Sequence, residues 1–200
     1  MMRIGLLGGS FDPVHKAHIE LAKTALRDLA LDQVQLLPAR QPWQKPILSA
    51  SCEDRLAMVE MAISDTPGLS VNPVELNRPG KTYTIDTLTT LPADHDYFWI
   101  LGSDQLQNFP TWHRWQDIAS LVTLVVAHRP GAVLLLPDEL QKQVDAGQAH
   151  VQVLNFRPMD ISASHLRHAI KAGESTEHWL DPRVAAYIAD NHLYQSEDKP

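Results

Sequence analysis

The sequence predicts an α/β fold: a mostly parallel, doubly wound sheet with helices on both faces and a small helical C-terminal subdomain. Three observations predict it. Short apolar runs alternate with segments whose apolar residues recur every three or four positions, as strands joined by crossover helices do. The first run, Ile4 to Leu7, leads into Gly8-Gly9 and then a helix-periodic segment, the strand–turn–helix order of a phosphate-binding unit. The 200 residues are 44% hydrophobic and 20% charged, which suffices for one sizeable core.

Arg3 to Gly8 reads as a buried strand. Ile19, Ala22, Leu26 and Leu29 then recur at helical spacing, with Glu20, Lys23, Thr24 and Arg27 on the other faces. Val34 to Leu37 is a second strand, stopped by Pro38; the stretch to Ala50, with Pro42 and Pro46, is a loop. Ser51 opens a helix along which Leu56, Val59 and Ile63 repeat, Glu53 and Asp54 favour its start, and Pro67-Gly68 ends it. Leu69 to Leu76 is predicted as strand, Thr84 to Leu91 as helix, and Tyr97 to Leu101 as a strand ending in Gly102-Ser103-Asp104. Leu121 to Ala127 is another strand, followed by Arg129-Pro130-Gly131, and Val151 to Leu154 is the last. Together these outline a Rossmann-like core over residues 1–160 and a helical segment over 161–200, one compact domain overall. Ligands of such sheets bind beyond the carboxyl ends of the strands. That rule gathers residues 8–18, 38–46, 102–104 and 128–131 on one edge.

Charge and composition exclude several classes. A net charge of −7 argues against a general nucleic-acid binder, so a bound polyanion needs a local cationic pocket. One cysteine, Cys52, precludes an internal disulfide and suits a reducing cytoplasm. No run approaches 18 apolar residues and no basic, then apolar, leader opens the chain, so no membrane partner is expected. Oligomeric state is left open, a homo-oligomer included.

The chemistry-bearing residues fall into separate groups. Gly8-Gly9-Ser10-Phe11-Asp12-Pro13-Val14-His15-Lys16-Ala17-His18 joins a glycine turn, a helix start and two histidines three residues apart, which share a helix face. The glycines let backbone N–H groups approach a ligand, the helix start supplies unpaired donors and positive dipole, and the histidines add donors that can hold or lose charge near neutral pH. Far downstream lies Ile161-Ser162-Ala163-Ser164-His165-Leu166-Arg167, whose plain reading is a helix capped by Ser162. Its functional reading adds Ser164, the first-turn N–H groups and Arg167 as a second anion cradle.

The first motif resembles the signature of the nucleotidyltransferase superfamily, which usually ends His-x-Gly-His; here Ala17 takes the glycine position. The Ser162–Arg167 segment resembles that superfamily's second phosphate motif. Tyr83-Thr84 and Phe109-Pro110-Thr111-Trp112 look like the pyridine-binding segments of one branch, the bacterial nicotinate-nucleotide adenylyltransferases. Gly102-Ser103-Asp104 and Arg129-Pro130-Gly131 follow in the matching order, so the resemblance spans residues 3 to 193.

The resemblance implies adenylyl transfer from ATP to nicotinate mononucleotide, giving deamido-NAD and pyrophosphate without a covalent enzyme intermediate. A phosphate monoester with a second pKa of roughly 6 is already ionised at neutral pH. The task is therefore positioning and charge neutralisation. His18 is expected to donate to the α-phosphoryl oxygens, His15 to lie against the ATP phosphates, and Lys45 to keep a cationic role in a loop that often reads Pro-Pro-His-Lys in the family. A solvated lysine is the plain alternative. ATP is expected on Gly8, Gly9, Ser10, Phe11, Gly102, Asp104, Ile161, Ser162, Ser164 and Arg167 as well as the histidines. Nicotinate mononucleotide is expected on Ser10, Lys45, Thr84, Trp112, His113 and Arg129. Trp112 would stack on the pyridinium, and backbone N–H groups near Thr84 and His113 would receive its carboxylate. Arg40 is a weaker candidate for a phosphate or adenine-side contact, Asp104 competes as a helix N-cap, and Asp12 serves the turn before Pro13. Trp99, Trp115 and Trp179 are expected in the core. Mg²⁺ is expected with ATP, and no dedicated metal cage is evident. Competing assignments are a phosphopantetheine or nicotinamide-mononucleotide adenylyltransferase, a metal-dependent hydrolase built on His15 and His18, and a non-catalytic nucleotide sensor.

Overall fold

Side chains alternate across each strand, and this alternation builds the two layers of the computed structural model, which describes residues 1–43 and 48–195. In β1 (Arg3–Gly9), Leu7 enters one apolar cluster while Ile4 and Leu6 enter another. In β2 (Gln33–Pro38), Val34 and Leu36 face the first cluster and Leu37 the second. The same division separates Phe98 and Ile100 from Trp99 and Leu101 in β4 (Asp96–Gly102), and Val125 from Leu124 and Val126 in β5 (Thr123–His128). With β3 (Leu69–Val71) and β6 (His150–Asn155), the sheet has six strands in the order β3-β2-β1-β4-β5-β6, every paired neighbour parallel. The strand order reverses between β1 and β4, so the crevice at their carboxyl ends is the switch point where such sheets take ligands.

The first face carries α1 (Lys16–Asp28) and α2 (Cys52–Ile63), whose buried residues join that cluster. It also carries α7 (Ala163–Lys171) and α8 (Pro182–Asp190): Leu166, Leu180, Val184, Ile188 and Leu193 pack into the cluster that holds Leu7 and Val34. The second face takes α3 (Thr84–Leu88), α4 (Ser103–Asn108), α5 (Trp115–Leu121) and α6 (Asp138–Asp145) through Ile85, Leu106, Ile118 and Leu140. Trp99 and Trp115 are buried there, as expected, and Trp179 packs half-buried against the first cluster.

Several boundaries differ from the sequence expectation. The strand from Leu69 ends at Val71, because Asn72 caps a 3₁₀ turn at Pro73–Glu75, where proline cannot supply a ladder N–H. Leu121 closes α5 instead of opening β5, and α3 is shorter than expected, ending at Leu88. The buried stripe of α2 runs Arg55, Met58, Val59, Ala62 and Ile63, with Leu56 only half-buried. Arg55 takes an inward position because its two Nη groups donate to the carbonyls of Ser10 (2.8 Å), Ala39 (2.7 Å) and Arg40 (3.3 Å), which offsets the burial of a charge left 1% exposed.

Candidate active site

The glycine turn is shaped by aromatic rings. A Cβ on Gly9 would lie 2.9 Å from the Phe11 ring and one on Gly8 would lie 3.0 Å from Trp99. Both glycines belong to β1, so their small size admits these rings, where the sequence suggested only ligand approach. Phe11 is held at φ +47° with its ring 1% exposed, a left-handed backbone that packing over-determines. Its ring meets His18 edge-on at 5.0 Å. The usual glycine of the motif is not needed at Ala17, which sits at the second position of α1 with ordinary helical backbone.

The two histidines stack, ring centroids 3.7 Å apart. His18 Nδ1 accepts from the backbone N–H of His15 at 3.2 Å, so a neutral His18 ring carries its proton on Nε2. His15 is 6% exposed, and burial pushes its pKa down to about 4. It is therefore neutral near pH 7, which corrects the expectation of a histidine that gains and loses charge there.

Asp12 does more than serve the turn. It is 2% exposed; its Oδ1 accepts from the Ala50 N–H (3.0 Å) and the Tyr194 hydroxyl (2.8 Å), and its Oδ2 from the Ser49 N–H (2.8 Å). Burial, and then the neighbouring Asp12 carboxylate, push the Tyr194 phenol far up. The Asp12 carbonyl accepts from Arg167 Nη1 at 2.7 Å, while Arg167 Nη2 donates to Ser164 Oγ at 3.2 Å. The two motifs expected to bind anions, joined here by residues 155 positions apart, thus meet at Asp12. Ser162 caps α7, its Oγ accepting from the His165 N–H, and Ile161 precedes it half-buried, its N–H donating to the Met159 carbonyl.

A cleft of about 140 Å³ opens beside the β1 turn, lined by Gly8, Gly9, Ser10, Trp43, Glu75, Thr84, Trp99 and Trp112 among others. Trp112 stands edge to Trp99 (6.4 Å, 90°) and against Phe109 (5.4 Å), with its indole Nε1 buried and without a partner. Thr84 opens α3, so its N–H is one of the donors a helix start leaves unpaired. His113 is exposed and its ring lies 5.0 Å from Tyr83. Gly8, Gly9, Ser10, Thr84 and Trp112 are therefore brought to one cleft, with His15 and His18 on the following turn.

Other candidates stand apart. Lys45 lies outside the described residues. Arg129 lines a separate cleft with Pro130, Arg157 and Pro158. Arg40 Nη1 donates to the Leu76 carbonyl at 2.7 Å. Asp104 is exposed at the second position of α4; Gly102 holds the N-cap, its N–H donating to Gln105 Oε1, so the capping reading of Asp104 fails. Ser103 Oγ lies 2.9 Å from His128 Nδ1. Arg55, Glu75 and Tyr194 were not singled out from sequence. The only cue was a charged residue at an inward helical phase in one case and a terminal tyrosine in another.

The chain matches the cytidylyltransferase-like family over residues 6–169. A protein of Bordetella pertussis described as a probable nicotinate-nucleotide adenylyltransferase is 55% identical over 193 residues, covering 96% of this chain and 98% of that one. This chain belongs to the nicotinate-nucleotide adenylyltransferase family. A more distant relative of the same description, from Dehalococcoides mccartyi, is 39% identical over 198 residues. The fold of the family extends further: the nicotinic acid mononucleotide adenylyltransferase of Plasmodium falciparum, solved with NaAD, superposes with a TM-score of 0.77 at 18% identity, covering 97% of this chain and 98% of that chain.

Proposed function

We propose that this chain transfers the adenylyl group of ATP to nicotinate mononucleotide in the cytoplasm, forming deamido-NAD and releasing pyrophosphate. The observation that carries the mechanism is the joining of the two anion-binding motifs at Asp12, beside a cleft walled by Thr84 and Trp112. In this reading the phosphate of nicotinate mononucleotide attacks the α-phosphorus in line. A P–O bond forms to the nucleotide as the bond to the bridging oxygen breaks, and the electron pair leaves with pyrophosphate. No base is needed, because the attacking oxygen is already ionised. His18, its Nδ1 engaged by the His15 backbone, presents Nε2–H to the phosphoryl oxygens as charge builds on them. Neutral His15 keeps that ring in place by stacking. Ser10 and the β1 turn face the reacting phosphates. The start of α7, with Ser162, Ser164 and Arg167, takes the β- and γ-phosphates, and Lys45 adds positive charge.

Trp112 supplies an aromatic wall for the pyridinium, and the N–H groups near Thr84 and His113 receive its carboxylate. Mg²⁺ belongs to this reading as part of the ATP complex, lowering the charge of the triphosphate. Among the described residues no group of three or more His, Cys, Asp or Glu side chains forms a cage, and phosphate oxygens with water are this ion's ordinary ligands.

A pyrophosphate-release assay with ATP, Mg²⁺ and either nicotinate or nicotinamide mononucleotide tests the assignment. Wild-type chain should turn over the acid with at least about tenfold higher kcat/KM, since a carboxamide uses the Thr84 donors less fully. His18→Ala should lower kcat roughly 10²-fold while leaving the KM for ATP within a few fold. Equal rates on the two mononucleotides would remove the carboxylate subsite, and an unchanged kcat would remove His18 from the reaction.

A further inference from the structure

Glu75 is a carboxyl group 3% exposed in the wall of a cleft read here as the seat of a negatively charged substrate. A buried carboxyl opposite an anion is an unfavourable choice unless it performs a task. Its surroundings show which. Its Oε1 accepts from the Thr87 hydroxyl at 2.7 Å; Thr87 is fully buried on α3, and its Oγ1 in turn accepts from Arg78 Nη2 at 2.9 Å. Burial raises the Glu75 pKa, while Thr87 and Arg78 pull it back.

The element these bonds hold needs holding. α3 has five residues, too few to be stable alone, and Tyr83 at its N-cap makes no side-chain capping bond. Its register must come from outside. One flank is tied to the loop after β2: the Thr82 N–H donates to the Gln41 carbonyl at 2.9 Å and the Gln41 N–H to Thr82 Oγ1 at 3.3 Å. The other flank is tied by hydrogen bonds through Thr87 to Glu75 and Arg78, on the 3₁₀ turn that follows β3 and the residues just after it, while Ile85 and Leu88 pack into the second cluster.

We propose that Glu75 is a positioning residue for pyridine-nucleotide binding: through Thr87 it fixes the first turn of α3, so that the Thr84 N–H points into the cleft at the substrate carboxylate. The role acts through α3 and rests on the assignment of that cleft to nicotinate mononucleotide. It makes the 3₁₀ turn after β3, remote from both phosphate motifs in sequence, part of what distinguishes the acid from the amide.

Steady-state kinetics on the full chain, varying each substrate separately, test it. Glu75→Ala and Thr87→Val should each raise the KM for nicotinate mononucleotide about tenfold, leave the KM for ATP within twofold, and narrow the preference for acid over amide. Thr87→Ser and Glu75→Gln, which keep the hydroxyl donor and an oxygen acceptor, should hold the KM within threefold of wild type. The conservative pair guards against misreading a folding defect. An unshifted KM in Glu75→Ala and Thr87→Val would overturn the role. So would equal losses for both substrates, or a Glu75→Gln variant as impaired as Glu75→Ala. A wild-type chain inactive on nicotinate mononucleotide would sink the activity and this role together, whereas an active wild type with indifferent variants would sink this role alone.

Discussion

His15 shows how a single side chain would link the proposed catalysis to stability. Its ring supports His18 only while neutral and stacked, and burial keeps it neutral by pushing its pKa down to about 4. The unfolded chain has no such constraint and titrates near 6.5. Between pH 6.5 and 4 the unfolded state takes up a proton that the folded state refuses, so folding stability from this group falls as pH drops through that window. It levels off below, where both states are protonated. The full effect is about 3 kcal/mol at most. Urea unfolding at intervals from pH 7 to pH 4 should show His15→Asn losing less stability on acidification than wild type, by about 1–3 kcal/mol. Parallel curves for the two proteins would mean that His15 protonates in the folded chain without penalty, and the neutral stacked pair would have to be abandoned.

At the scale of elements, α7 and the C-terminal residues are fastened to the β1 turn by few but strong bonds. Arg167 reaches the Asp12 carbonyl and Tyr194 reaches the Asp12 carboxylate, a residue 182 positions earlier. Hydrogen bonds to a buried carboxylate are worth about 1.5–3 kcal/mol. Tyr194→Phe keeps the ring and removes the donor, so urea unfolding should report a loss of that size; a loss under about 0.5 kcal/mol would show the bond to be incidental. These ties also show what sequence reasoning reaches. β1, α1 and the capped start of α7 were legible because each is specified by residues within a turn or two: apolar alternation, the Ser162 cap, a glycine pair. Val59 and Ile63 of the expected α2 stripe are buried, while Leu56 is only half-buried because Arg55 takes the inward position against the carbonyls of Ser10, Ala39 and Arg40, partners that no helical period announces. Glu75 and Tyr194 escaped for the same reason, their partners being tertiary. Arg40 and Arg129 have tertiary settings that sequence spacing did not announce either, the first donating to the Leu76 carbonyl and the second lining a cleft with Arg157.

For the whole molecule, the proposed reading sets two half-sites around the β1–β4 switch point of the doubly wound sheet, and the parts that would build them are separable. In the proposed reading the pyridine cleft is walled by α3 and Trp112 on the second face, whereas the α7 cradle belongs to the first face and meets the β1 turn at Asp12. Each substrate should therefore stabilise the fold through its own half. A ligand present at a hundred times its Kd adds about 2.7 kcal/mol, which for a chain of this length raises Tm by roughly 5–10 °C. Thermal unfolding with a non-hydrolysable α,β-methylene ATP and, separately, with nicotinate mononucleotide should give a rise with each for wild type. Arg167→Ala should lose most of the rise with the ATP analogue and keep the rise with nicotinate mononucleotide, because only the α7 cradle has been emptied of its guanidinium. Retention of both rises would detach Arg167 from the triphosphate. Loss of both would mean that its bond to Asp12 holds the entire crevice in shape, and the two half-sites would then have to be treated as one.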